Sequence, residues 1–244
     1  MYTEVYKIAD VAIEIRSVYD GIHVYCKDYL WDGPADITLT ITEEDIDHEK
    51  LKSDRENEME GKPPVNHSRR YLETLAVYRK LADLLLDRDV FLFHGSAIAV
   101  DDRAVLFTAK SGTGKSTHTK LWRDRFGDRA VMINDDKPLL RVEGDGAVIY
   151  GTPWDGKHRI STNCKKPLEA ICILERGEEN QIRQISAREA LPMLMQQSHR
   201  STDPAAVAKM LQVINKLSTR VRFYRLKCNM DPEAAQVAYK GIFG

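Results

Sequence analysis

The chain has 244 residues, 43% of them hydrophobic and 30% charged, which suits one α/β domain, or one domain with a smaller appendage, around a buried core. Its 36 basic and 37 acidic residues leave a formal net charge of −1, so there is no global electrostatic case for nucleic acid or an anionic membrane as partner. No apolar run approaches bilayer length, Met1-Tyr2-Thr3-Glu4 starts no signal peptide, and Cys26, Cys164, Cys172 and Cys228 lie far apart, so a cytoplasmic protein with free thiols is expected.

Residues 1–41 alternate polar and apolar positions. The pattern predicts a hairpin of residues 11–15 with residues 22–26 across Tyr19-Asp20-Gly21, and another strand at residues 37–41, together a small antiparallel sheet. Residues 42–64 are dense in charge and poor in apolar side chains, which predicts a solvated loop. A domain boundary is therefore expected near residue 66, separating an N-terminal β-rich region (1–66) from the remainder (67–244). Leu72, Leu75, Ala76, Leu81, Leu84 and Leu85 form a helical stripe within residues 68–87.

Residues 91–93 form a short strand ending in His94-Gly95-Ser96, and Asp101-Asp102-Arg103 joins two apolar runs in a hairpin. The second of these runs, residues 104–108, enters Ala109-Lys110-Ser111-Gly112-Thr113-Gly114-Lys115-Ser116, and a helix-compatible stretch starts at Thr117. Strand, glycine-rich turn, Lys-Ser and helix is the context of a phosphate-binding P-loop. Gly112 and Gly114 let successive amides turn toward phosphate oxygens, Lys115 brings an ammonium, and Ser116 a hydroxyl for Mg²⁺. Ala109 stands where a first glycine is usual, and it is compatible with the loop if its φ is negative. Residues 109–117 are thus the expected nucleotide site.

Residues 130–133 form another apolar strand, ending in Asn134-Asp135-Asp136. Carboxylates at a strand end beside such a loop suit Mg²⁺ binding or proton acceptance, and Asp136 follows Ser116 by only 20 residues. Beyond it come a hairpin over residues 139–150, a loop at residues 151–158 that carries Asp155 and Lys157, and a strand at residues 168–174. Helices start at the Ser186 capping box, at Asp203-Pro204 and at Asp231-Pro232, with a strand at residues 221–226 between the last two.

His94-Gly95, the hairpin into residues 109–116 and the early Asp135-Asp136 together resemble the HPr kinase/phosphorylase family, and through it phosphoenolpyruvate carboxykinase, over about residues 90–176. The resemblance implies an α/β fold, a mixed sheet with flanking helices around a P-loop core, with the small β-rich region at its N-terminus. It implies ATP and Mg²⁺ as cofactors, Lys115 and Ser116 as phosphate and Mg²⁺ ligands, Asp136 as the residue taking the acceptor's proton, and His94 beside the phosphates; Asp135, the other carboxylate at that strand end, is expected to bind the metal. The family's Glu-rich Mg²⁺ segment and Pro-Gly-Arg-Asn signature have no counterpart. Pro153-Trp154-Asp155-Gly156-Lys157 stands instead, as in the divergent HPr-kinase-like branch beside peptide-modification systems. The expected activity is transfer of a γ-phosphoryl group to a hydroxyl, a serine of a peptide, protein or small molecule, with neither nucleic acid nor membrane as partner; assembly into a homo-oligomer is compatible with it. The alternatives are a carboxykinase-like enzyme and a non-catalytic nucleotide-sensing module.

Overall fold

The computed structural model describes residues 1–59, 61, 63–199, 201 and 203–244. The chain divides into two compact units, Met1–Leu84 and Leu85–Gly244, so the expected boundary near residue 66 falls instead at the end of a helix that belongs with the first unit.

In the first unit β1 (Tyr2–Ile8) and β2 (Val11–Ser17) form the hairpin, turned by Ala9 and Asp10, both at positive φ as a two-residue turn of right-handed strands requires. Residues 22–26 are not the partner strand that their alternation suggested. They form a short helix, α1 (Gly21–Tyr25), with Cys26 as its C-cap, because the ladder stops at Ser17: the next two amides, of Val18 and Tyr19, donate to the buried carboxylate of Glu73 at 2.6 and 3.0 Å. The chain then returns in the same direction, so β3 (Ile37–Thr40) pairs with β2 in parallel and the sheet is mixed rather than antiparallel.

The charge-dense stretch is largely helix α2 (Glu43–Met59), not a loop; Glu60 and Lys62 lie outside the described residues. Thr42 and Asp45 cap its start reciprocally, the Asp45 amide donating to Thr42 Oγ1 at 3.3 Å and the Thr42 amide to Asp45 Oδ2 at 3.0 Å. Its carboxylates are answered by basic residues of α3 (Arg69–Leu85): Arg69 pairs with Glu43 and, at 2.7 Å, with Asp47; Lys80 reaches Asp45 at 2.8 Å; and Arg79 pairs with the buried Glu49. The exposed pairs among these contribute roughly 0.2–1 kcal/mol each, so it is their number that matters. Tyr6, Ile13, Ile15, Leu39, Ile46 and Leu72 make the core beneath.

The second unit holds β4 (Val90–Leu92), β5 (Ser96–Val100), β6 (Arg103–Thr108), α4 (Lys115–Phe126), β7 (Ala130–Asn134), β8 (Leu139–Glu143), β9 (Gly146–Tyr150), β10 (Lys165–Arg176), β11 (Gln181–Ile185), α5 (Ala187–Gln197), α6 (Pro204–Ser218), β12 (Arg222–Cys228) and α7 (Glu233–Phe243). Among the described residues these strands form one nine-stranded mixed sheet with β4-β8-β9-β10-β6-β5-β7 in order, β12 lying along β10 and β11 beyond it. Side chains of β6 alternate between two cores. Ala104 and Leu106 face α5 and α6 with Leu194, Met210 and Leu217, while Val105 and Phe107 face α4 and α7 with Trp122, Ala238 and Ile242. A strand buried on both faces reads as a continuous apolar run, which is why β6 was visible in the sequence.

On the second face Trp122 is fully buried among Phe107, Phe126, Tyr239 and Phe243, with ring centroids 5.3, 5.4, 6.0 and 6.2 Å away. Its Nε1–H donates to Nε2 of His118 at 3.0 Å, and burial holds the His118 imidazole down to about 4 from 6.5. The folded value lies below the unfolded one. The corresponding stability is full above pH 6.5 and is lost as pH falls from there through about 4. His94, half-buried in the same unit and likewise held down to about 4, acts in the same sense. The urea midpoint is expected to fall between pH 7 and 4.5, and His118→Phe to flatten that fall; an unchanged pH slope in the variant would show that His118 does not titrate on unfolding.

Candidate active site

Strand β5 lies between β6 and β7 and runs antiparallel to both, with Ser96 opposite Phe107 and Ala97 opposite Asn134. The start of β5 and the ends of β6 and β7 therefore emerge at one edge of the sheet. β10 is parallel to β6 and β12 to β10, so their C-terminal ends reach the same edge, where open α/β sheets gather ligand sites. Gly95 makes the approach of β5 to β6 close: a Cβ there would sit 2.8 Å from the Phe107 carbonyl oxygen and 2.6 Å from Leu106 Cδ1. His94, one residue earlier, is held by its own amide donating to the Gln197 carbonyl at 2.8 Å and by Thr108 Oγ1 donating to its carbonyl at 3.1 Å.

The loop from Ala109 to Gly114 links β6 to α4. Gly112 and Gly114 have φ of 75° and 122°, in the region that favours glycine, and Ala109 is not among the positive-φ residues, so alanine meets no strain there. The His118 amide makes the first helical bond, to the Gly114 carbonyl at 2.9 Å, and no side chain caps the helix. The amides of Lys115, Ser116 and Thr117 thus lack an intrahelical acceptor and carry the positive end of the helix dipole. Lys115 is buried and its ammonium donates to the Ala109 carbonyl at 3.1 Å; burial pulls its pKa down, opposed by Asp136 and Asp135.

Asp135 and Asp136 follow β7. Asn134 shapes the turn: its Oδ1 accepts from the amides of Asp136 and Lys137 at 2.9 and 2.7 Å, while its Nδ2 donates to Thr152 Oγ1 at 3.0 Å. Asp135 is buried, and Ser96 Oγ donates to its Oδ1 at 2.6 Å. Thr119 of α4 lies with its hydroxyl 2.9 Å from Ser96 Oγ and also reaches the carbonyls of Ser116 and Lys115 at 3.2 and 3.3 Å. Two hydroxyls therefore tie this carboxylate to the helix that follows the loop.

His94 Nδ1 lies 2.7 Å from Gln197 Oε1 and Nε2 lies 3.4 Å from Asp136 Oδ1. Burial, then Lys137 and Lys115, hold the imidazole down to about 4, while burial pushes the Asp136 carboxyl up against the pull of Lys137 and Lys115. A neutral His94 donating from Nδ1 to Gln197 presents a bare Nε2 to Asp136, an arrangement suited to sharing a proton.

His94, Lys115, Ser116, Asp135 and Asp136 line one cavity of about 570 Å³ with Ser111, Gly112, Gly114 and Thr117, within the range of small-molecule sites. Lys157 and His158 close another wall. Asp155 is buried and accepts from the Ser161 amide at 3.5 Å, and Arg159 is exposed. Residues that sequence patterns missed support this site from behind: Ser96, Thr119, Asn134 and Gln197, and Arg176 at the end of β10. The Arg176 guanidinium donates to the carbonyls of Gly112 at 2.6 Å and Thr113 at 3.4 Å. Among the described residues no group of three or more His, Cys, Asp or Glu is placed to hold a metal ion, and no helix is long and apolar enough to cross a membrane.

No family model matches the chain, and no curated protein sequence matches it. Among solved structures it is similar to the Hpr(Ser) kinase/phosphatase from Coxiella burnetii, with a TM-score of 0.35 and 13% identity over 61% of this chain and 94% of that chain.

Ser96→Ala leaves a buried carboxylate oxygen of Asp135 without its donor, and a loss of about 1–3 kcal/mol in unfolding free energy is expected from urea denaturation. A variant as stable as the parent would mean that Asp135 finds its partner elsewhere.

Proposed function

We propose that the chain is a Mg·ATP-dependent phosphotransferase that moves the γ-phosphoryl group onto a hydroxyl, such as a serine of a peptide, protein or small molecule. One observation carries this reading: helix-start amides and the Lys115 ammonium line the same cavity as Asp135 and Asp136. Donors for phosphate oxygens and acceptors for a metal or a proton are the two halves of phosphoryl transfer.

The amides of residues 112–117 and Lys115 would hold the β and γ phosphate oxygens. Ser116 and Asp135 would hold Mg²⁺; two oxygen donors completed by phosphates and water suit this hard cation. Bound Mg²⁺ would offset charge on those oxygens. Asp136 then orients the acceptor hydroxyl. As its oxygen bonds to the γ-phosphorus, the bond to the bridging oxygen breaks, ADP departs and the hydroxyl proton passes to Asp136. A carboxyl raised by burial is a better base near neutral pH than an ordinary one, and His94 Nε2 faces it at 3.4 Å.

The acid limb of the turnover profile is accordingly expected above the ordinary carboxylate value of 3.8 and to vanish with Asp136. Asp136→Asn should keep Mg·ATP affinity by calorimetry yet lose on the order of 10² in phosphate transfer to a pool of serine-containing peptides, read by mass spectrometry. Full transfer in that variant would overturn the base assignment, and a parallel loss of affinity would move Asp136 to the metal. Lys115→Ala should weaken Mg·ATP binding by more than about 2 kcal/mol; unchanged affinity in the folded variant would remove the nucleotide site.

A further inference from the structure

We propose that the cavity on the far side of the loop takes the base of the nucleotide, and that it accepts adenine and guanine alike. This inference rests on the nucleotide reading above and extends it to the choice of substrate.

The cavity, of about 490 Å³, is bounded by the loop and first turns of α4 and by the ends of β10 and β12. It shares Gly112, Gly114 and Thr117 with the phosphate site, so a ligand anchored on the loop has the second cavity directly beside it. Its walls are mostly apolar, with Leu121, Leu174, Cys228 and Met230 offering the surface a flat aromatic ring needs.

Adenine and guanine differ in the hydrogen-bonding groups on their ring edges. A site that separates them strongly must hold unsatisfied polar groups for one pattern, and apolar contact alone discriminates weakly. The polar side chains beyond the loop's threonines are already engaged. Asn229 Nδ2 donates to the Glu178 carbonyl at 2.9 Å and to Asp231 Oδ2 at 2.7 Å, and its Oδ1 accepts from the Asp231 amide at 3.0 Å. Glu175 pairs with Arg225, and Arg176 is bonded to the loop carbonyls.

His118 lines the cavity as well; Trp122 Nε1 can only donate, so His118 Nε2 accepts and the neutral ring carries its proton on Nδ1, which is buried and without a hydrogen-bond partner. Purine N3 and N7 are acceptors in both bases, so this donor, if turned toward the base, would distinguish neither.

The experiment measures binding of Mg·ATP, Mg·GTP and Mg·tripolyphosphate to the intact chain by calorimetry, and maps the site of covalent labelling by 8-azido-ATP. ATP and GTP are expected to bind within about tenfold of each other. Tripolyphosphate, lacking a base to bury, should be weaker by about tenfold or more. Labelling should fall on α4 near Leu121 or on residues 228–230. If tripolyphosphate binds as tightly as ATP, or labelling falls only on residues 157–159, the base site is overturned while the phosphate site stands. A preference for one purine beyond about a hundredfold overturns the lack of selectivity. Failure of all three ligands to bind overturns this inference together with the nucleotide reading.

Discussion

The position of β5 between β6 and β7 is the constraint from which the candidate site follows. Because β5 runs against both neighbours, its first residues share an edge with the last residues of each, and three chain segments with different chemistry are delivered to one place. His94 arrives at a strand start, the glycine loop at one strand end and the carboxylates at another. The register matters as much as the order. A one-residue slip of β5 would exchange its two faces and turn Ser96 away from Asp135, stranding a buried charge.

Such an assembly of buried and half-buried ionisable groups is unfavourable in isolation, and the fold supplies compensation. Asp135 is bonded by Ser96, itself bonded by Thr119; His94 is held by Gln197; Asn134 occupies the amides that would otherwise point unpaired into the turn. Half-satisfied, a buried polar network of this kind would be worse than an apolar filling. The same low-polarity surroundings that make it demanding also shift His94 and Asp136 toward each other in proton affinity, one down and one up. The demand for partners and the shifted proton affinities have one cause, the removal of water.

What was legible in the sequence was what depends on neighbours along the chain. The strand, the Gly112 and Gly114 loop and the helix starting at Lys115 are consecutive, and the two-sided burial of β6 makes it a plain apolar run. The paired carboxylates after β7 and the Ser186 capping box are local as well. What was illegible depends on distant partners. Helix α2 has little apolar stripe of its own and is matched by Arg69, Arg79 and Lys80 of α3, more than twenty residues on. Residues 22–26 alternate like a strand, yet Glu73 has already taken the amides that would have led into one. Arg176 lies 62 residues beyond Gly114, and only the parallel register of β10 against β6 brings it to the loop.

That last contact bears on the thermodynamics of ligand capture. A glycine-rich segment has more backbone freedom to lose than any other, and a loop that had to be ordered by its ligand would subtract that loss from affinity. Arg176 fastens the outward carbonyls of Gly112 and Thr113 to the end of a central strand, so the freedom is surrendered during folding instead. The sheet thereby sets the loop's shape in advance, and association needs little rearrangement of the backbone.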